Sequence, residues 1–199
     1  MSTTETLREM KLALRGAMNG PVAASMRAKG LTYKVNFGVE LPRLRDMSAR
    51  WPASRELAEA LWAEDVRESR LLAAMLMPAD DFAEETAMEW VASMRFAEEA
   101  ECTAAHLLCR LPYASDLGFR LIADAAPMAQ ICGYLTLARL FMQGRRPTQR
   151  DADELLDQAA AALACDSASV RRAALSAVNR FGALGEAEAA RAERLLSAL

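Results

Sequence analysis

The sequence has no long apolar segment and few aromatic residues. No run of about eighteen apolar residues occurs in the 199-residue chain, which argues against a membrane-spanning helix. The N-terminus, MSTTETLREMK, is polar and lacks the apolar core of a signal peptide. We therefore expect a cytoplasmic protein with no membrane partner.

Residues that bind metals or form disulfides are scarce. The chain has four cysteines and one histidine, and no CxxC spacing. Cys102, His106 and Cys109 are spaced i, i+4 and i+7 and would share one face of a helix. Structural zinc sites usually add a second, distant pair of ligands, and the sequence has none. We therefore expect core thiols in a reducing compartment, with no metal and no cofactor.

The residues that are abundant favour helices. Ala, Leu, Glu, Arg and Met dominate, while the nine glycines and seven prolines fall mostly between stretches of helical periodicity. The clearest unit is 56–77, which predicts two helices joined by a short turn. Second helices of further pairs are predicted at intervals of roughly thirty to forty residues. Their predicted starts are Val66, Glu98, Pro127 and Ser169.

This periodicity predicts the fold class. Two-helix units that repeat at this interval are typical of a helical solenoid, because each pair buries its apolar face against the next. The pattern Val-Arg-Arg-Ala-Ala-Leu-x-Ala-Val within 169–181 looks like the second helix of a HEAT repeat. We predict an all-α, right-handed α-α superhelix of HEAT/ARM-like repeats that forms a single domain over residues 1–199.

Residues 31–40 are the least helical stretch. Tyr33, Val35, Phe37 and Val39 alternate with other residues, as in a strand, but no partner strand is visible. We therefore predict an ordered loop that carries Tyr33 and Phe37 into the core.

Basic residues are concentrated near the N-terminus. Residues 1–50 contain nine Lys or Arg and four Asp or Glu, whereas residues 51–100 contain four and twelve. A basic segment can bind nucleic acid, but it is more often an ordinary solvated surface. We expect four arginines to contact phosphate, two at a predicted helix start and two in an exposed turn. They are Arg43, Arg45, Arg145 and Arg146.

Short motifs in the first half of the chain follow one another in an order typical of a known family. They are Met26 with Lys29, Phe37-Gly38-Val39, Pro42-Arg43-Leu44-Arg45, Leu61-Trp62, Glu64, Glu68, Ala73 and Met75. In this order they resemble the N-terminal half of the HEAT-like DNA alkylation repair proteins, which are alkylpurine DNA glycosylases. The resemblance covers about 18–110 and continues more loosely to Phe181. It implies a C-shaped solenoid with a basic concave face that holds double-stranded DNA.

The same resemblance locates the active-site positions. The family's run Trp-Trp-Asp-x-x-Asp corresponds to 96–101 here, which reads Phe-Ala-Glu-Glu-Ala-Glu. It implies that Phe96 is the active-site aromatic residue and Glu101 the catalytic carboxylate, whereas Ala97 replaces the second Trp. An Arg that contacts DNA and a further Trp are replaced here by Ile131 and Ser176. These replacements predict a family member whose glycosylase activity on alkylated purines is lost or altered.

Two functions remain open from the sequence. The first is a DNA-binding protein of this family, with divergent glycosylase activity or none. The alternative is a non-catalytic HEAT-repeat scaffold that binds a protein partner, which the acidic residues 51–100 favour.

Overall fold

The computed structural model describes residues 2–198, and its regular structure there is entirely helical. Twelve α-helices and one short 3-10 helix occur in this range, without a β-strand. The all-α prediction is confirmed. The α-helices are α1 Thr3–Gly16, α2 Gly20–Ala28, α3 Leu41–Ser48, α4 Arg55–Trp62, α5 Arg67–Leu76, α6 Glu84–Ser93, α7 Ala97–His106, α8 Ala114–Ile122, α9 Pro127–Met142, α10 Gln149–Ala164, α11 Ala168–Gly182 and α12 Glu186–Ser197, and the 3-10 helix is Leu108–Arg110.

The chain divides after Phe82 into two compact units, which we call unit 1 and unit 2. Unit 1 contains α1 to α5. The predicted helix pair at 56–77 is confirmed as α4 and α5, which pack against each other. Helix α5 is the most deeply buried helix of the unit, because even the charged residues of its first turn are covered. The prediction of one domain over residues 1–199 stays a prediction.

The loop at 31–40 is attached to α5 by backbone and side-chain hydrogen bonds. The Val35 N–H donates to the Asp65 carbonyl at 3.1 Å, and the Arg67 N–H donates to the Val35 carbonyl at 3.0 Å. Tyr33 is buried and Phe37 is half-buried. The prediction of an ordered loop is therefore confirmed, and the alternation in the sequence reflects one isolated bridge between Val35 and Val66.

A buried carboxylate completes this attachment. Glu68 is fully buried, and its two oxygens accept the N–H groups of Phe37 at 3.0 Å and Val39 at 3.1 Å. The Arg67 guanidinium donates to Glu68 at 3.2 Å and to the Val39 carbonyl at 2.8 Å. The loop thus obtains from α5 the hydrogen bonds that a partner strand would have supplied.

In chain order, unit 2 contains the helix pairs α6/α7, α8/α9 and α10/α11, followed by α12. The last two pairs pack helix against helix, whereas α6 and α7 both pack against α9. The second helices begin at residues 97, 127 and 168, within one residue of the predicted starts. Helix α9 packs between α7 and α11, and ten of its sixteen residues are buried. The predicted repeat of helix pairs is confirmed, and α9 is the interior helix that supports the neighbouring surface.

One local prediction is wrong. Helix α7 ends at His106, so Cys109 lies in the 3-10 helix and does not continue the helical face of Cys102 and His106. Within residues 2–198, no helix has both the length and the apolar character needed to cross a membrane.

Candidate nucleic-acid interface

Glu101, the predicted catalytic carboxylate, forms an ion pair with Arg172. Glu101 lies on α7 and Arg172 on α11, and the Arg172 Nη2 and Glu101 Oε1 atoms are 3.0 Å apart. Their side chains are 52% and 71% exposed, so the pair lies on the surface of unit 2. A pair this exposed adds little stability, but it places a positive charge 3.0 Å from the carboxylate that was predicted to be catalytic.

Phe96, the predicted active-site aromatic residue, occupies the N-cap position of α7. Its ring is half-buried, and the Arg95 guanidinium lies over it at 5.2 Å from the ring centroid. The fully buried Glu99 fixes this helix start, because its Oε2 accepts the N–H groups of Arg95 at 2.6 Å and Phe96 at 3.2 Å. Phe96 therefore has a defined position, and its ring already contacts a cation of the protein itself.

The two other family positions lie in different environments. Ile131 is 5% exposed and belongs to the core of unit 2. Ser176 instead lines a shallow depression of about 310 Å³ on α11. The other lining residues follow at helical spacing, namely Arg172, Leu175, Asn179 and Arg180. Neither Arg172 nor Arg180 was predicted from the sequence as a phosphate contact, although their spacing with Ser176 places all three on one face of a helix.

Arg43 and Arg45 in unit 1 point to solvent from α3. Both are exposed, whereas Leu44 and Met47 of the same helix are buried. Among residues 2–198, neither guanidinium has an acidic partner. Both side chains are therefore available for an external anion, as the prediction requires, and their role in DNA binding stays a prediction.

Arg145 and Arg146 in unit 2 differ in their environments. The Arg146 Nη1 atom lies 2.6 Å from Glu188 Oε1, and its Nη2 donates to the Leu184 carbonyl. These contacts hold Arg146 against the start of α12. Arg145 is exposed and has no acidic partner in the described part of the chain. The geometry therefore favours Arg145 over Arg146 as a contact for an external phosphate.

The described residues 2–198 contain no group of three or more His, Cys, Asp or Glu side chains that could hold a metal ion. What the surface does offer is exposed arginines in both units. Guanidinium groups bind phosphate oxygens by charge and planar hydrogen bonding.

Comparison with known proteins identifies the family. The model of the DNA alkylation repair enzyme family matches residues 10–178. A solved structure is similar to this chain, with a TM-score of 0.83 and 15% sequence identity. The match covers 98% of this chain and 82% of the chain in that structure. That structure is described as a new family of proteins related to the HEAT-like repeat DNA glycosylases, with affinity for branched DNA structures. No curated protein matches the chain. The HEAT-like fold prediction is confirmed, and the chain belongs to the DNA alkylation repair enzyme family.

Proposed function

We propose that this protein binds DNA through phosphate contacts and does not catalyse the excision of alkylated purines. The observation that carries the proposal is the ion pair between Glu101 and Arg172. Excision would require at this position a carboxylate whose charge is not offset by a nearby cation.

The chemistry explains why this pair matters. Cleavage of the bond between a purine and its sugar develops positive charge on the sugar, which a nearby carboxylate stabilises. The positive charge of Arg172, 3.0 Å from Glu101, opposes that electrostatic contribution. The aromatic surface that would attract a cationic base is also reduced, because Ala97 and Ser176 replace two tryptophans of the family. Phe96 remains, but the Arg95 guanidinium already lies over its ring.

Exposed arginines support DNA binding. Arg43 and Arg45 in unit 1 and Arg145 in unit 2 are exposed and have no acidic partner within residues 2–198. A guanidinium group can donate two parallel hydrogen bonds to phosphate oxygens. The affinity of the structurally similar protein for branched DNA supports the same class of ligand here. We expect binding to duplex and branched DNA without strong dependence on base sequence, because phosphate contacts do not read bases.

The contacts of the acidic residues argue against the alternative function, a scaffold that binds a protein partner. The acidic excess of residues 51–100 suggested a surface for a basic peptide. Several of these carboxylates are instead buried or paired with side chains of their own unit. They are Glu59 with Arg55, Glu64 with Lys11, Glu68 with Arg67, Glu84 with Arg120, and the buried Glu99.

Binding can be tested with a fluorescent duplex and a four-way junction at about 50 mM and about 200 mM salt. We expect binding to both DNAs that weakens steeply as salt increases, because each phosphate contact releases counterions. Arg43→Gln/Arg45→Gln and Arg145→Gln should each reduce the affinity and its salt dependence. Absence of salt-sensitive binding by the wild-type protein would contradict the DNA proposal.

Catalysis can be tested separately by measuring release of 7-methylguanine from methylated DNA. We expect no release above the spontaneous rate. Glu101→Gln is the informative variant, and Glu59→Gln is its matched control, because Glu59 also forms an exposed ion pair, with Arg55 on α4. Robust release that Glu101→Gln abolishes and Glu59→Gln leaves intact would overturn the proposed loss of catalysis.

A further inference from the structure

Helix α1 separates its charges onto different faces. At about 100° per residue, Arg8, Lys11 and Arg15 fall within a sector of about 60° on the helix surface. The acidic residues Glu5 and Glu9 lie roughly 90–130° around the helix from the centre of that sector. The buried face of α1 lies on another side, so the cationic face is turned to solvent.

The cationic face surrounds a shallow depression. Its volume is about 440 Å³, and it is lined by the three cations together with Thr4, Leu7 and Leu12. Leu12 is 59% exposed and adds apolar surface to the depression. Charged groups around an apolar floor fit a phosphate backbone, whose anionic oxygens alternate with the carbon atoms of the sugars.

The spacing of the cations suits the same ligand. Arg8 and Arg15 are seven residues apart, which corresponds to about 10.5 Å along a helix. Phosphates of one DNA strand advance about 3.4 Å each along the duplex axis, so Arg8 and Arg15 are far enough apart to contact different phosphates.

The three cations are not equivalent. Lys11 Nζ lies 2.5 Å from Glu64 Oε1, and the other oxygen of Glu64 accepts the Ser69 hydroxyl at 2.8 Å. This contact holds α1 and partly neutralises Lys11. Arg8 and Arg15 are exposed and have no acidic partner among residues 2–198. They are therefore the residues of this face whose charge remains available.

We propose that the cationic face of α1, with Arg8 and Arg15 as its ligands, binds the phosphodiester backbone of DNA. The inference rests on the proposed function and extends it to a surface that the family motifs did not indicate. Arg8 lies before the first residue of the family match, which begins at residue 10. Lys11 is the positioning residue, since its ion pair with Glu64 holds α1 to the turn between α4 and α5.

The test compares two double variants of the full chain on a short fluorescent duplex. Arg8→Gln/Arg15→Gln removes the proposed contacts. Arg150→Gln/Arg194→Gln is the control, because it removes the same charge from two exposed arginines of unit 2 that have no acidic partner among residues 2–198. Thermal unfolding of each variant verifies that it remains folded.

We expect the α1 variant to reduce the slope of log K against log salt by about 1.8, since each lost phosphate contact contributes about 0.9. The ratio of wild-type to variant affinity should then fall about twelvefold between about 50 mM and about 200 mM salt. The control should keep the wild-type slope. Two outcomes would overturn this inference alone, provided that the wild-type protein binds DNA. Either the α1 variant keeps the wild-type slope, or both double variants lose the same amount of slope. Absence of salt-sensitive binding by the wild-type protein would overturn the proposed function as well.

Discussion

Gly118 of α8 and Gly133 of α9 lie so close together that a Cβ atom on Gly133 would be 2.8 Å from the Gly118 carbonyl oxygen. The same Cβ would be 2.7 Å from the Ile122 backbone nitrogen. Both distances are shorter than van der Waals contact, so only glycine permits this approach of the two helices.

Gly133→Ala should therefore destabilise the protein by about 1–3 kcal/mol, the usual cost of overpacking a close contact. Gly118→Ala should cost less. Its Cβ would meet the Leu137 side chain, at 2.8 Å from Cδ2, and a side chain can move more easily than a backbone. Urea unfolding monitored by circular dichroism measures both changes.

Gly16→Ala provides the control for these two substitutions, because a Cβ there meets no atom within 4 Å. We expect no loss of stability and a gain of up to about 1 kcal/mol from the higher helix propensity of Ala. Equal losses for Gly118→Ala and Gly133→Ala would contradict the distinction between backbone and side-chain contacts.

Glu68→Gln should destabilise unit 1 strongly. The substitution preserves the size of the side chain but removes the negative charge beside the buried Arg67 guanidinium, at 3.2 Å. It also replaces one acceptor of a loop N–H group with an amide donor. Loss of one partner from a buried ion pair costs about 3–5 kcal/mol. The urea midpoint should fall accordingly, while Glu59→Gln, which breaks an exposed pair, should change stability by less than about 1 kcal/mol. Similar midpoints for the two variants would refute the structural role of Glu68.

The four cysteines should react with a thiol reagent at different rates. Cys132 is fully buried, and burial together with the nearby Glu99 raises the pKa of its thiol far above the usual range. Burial also raises the pKa of Cys109, although Arg139 opposes this shift. Since the thiolate is the reactive form, both should react slowly near pH 8 and faster as pH increases. Cys165, which is only half-buried, should react first.

Peptide mapping by mass spectrometry after timed alkylation measures this order. The urea-denatured protein is the control, since all four thiols should then react at similar rates. Alkylation of Cys132 before Cys165 in the folded protein would contradict the burial described here.

Much of the fold could be predicted because the apolar positions repeat with helical spacing. The starts of α7, α9 and α11 were predicted within one residue, and the capping box of Thr148 and Asp151 is present at α10. These features depend on residues close together in the chain. Local patterns of this kind remain readable without tertiary information.

What could not be predicted depends on residues far apart in the chain. The pairing of Glu101 with Arg172 joins positions 71 residues apart, and no local pattern indicates it. Likewise, Arg145 and Arg146 are equivalent by sequence, but only the fold brings Glu188 to Arg146. By sequence, Glu68 resembles an ordinary surface residue of a helix, because only the fold shows that the loop at 31–40 packs against it. The chemistry of the site therefore follows from tertiary neighbours that the sequence alone does not identify.

The attachment of residues 31–40 to Glu68 also determines where the chain can be modified. By secondary structure this segment is a loop, and loops are the usual choice for inserting an epitope tag or a fluorescent protein. Here an insertion would separate the Phe37 and Val39 amides from their buried acceptor. A reporter inserted between residues 31 and 40 should therefore reduce the stability of unit 1, although the segment contains no helix.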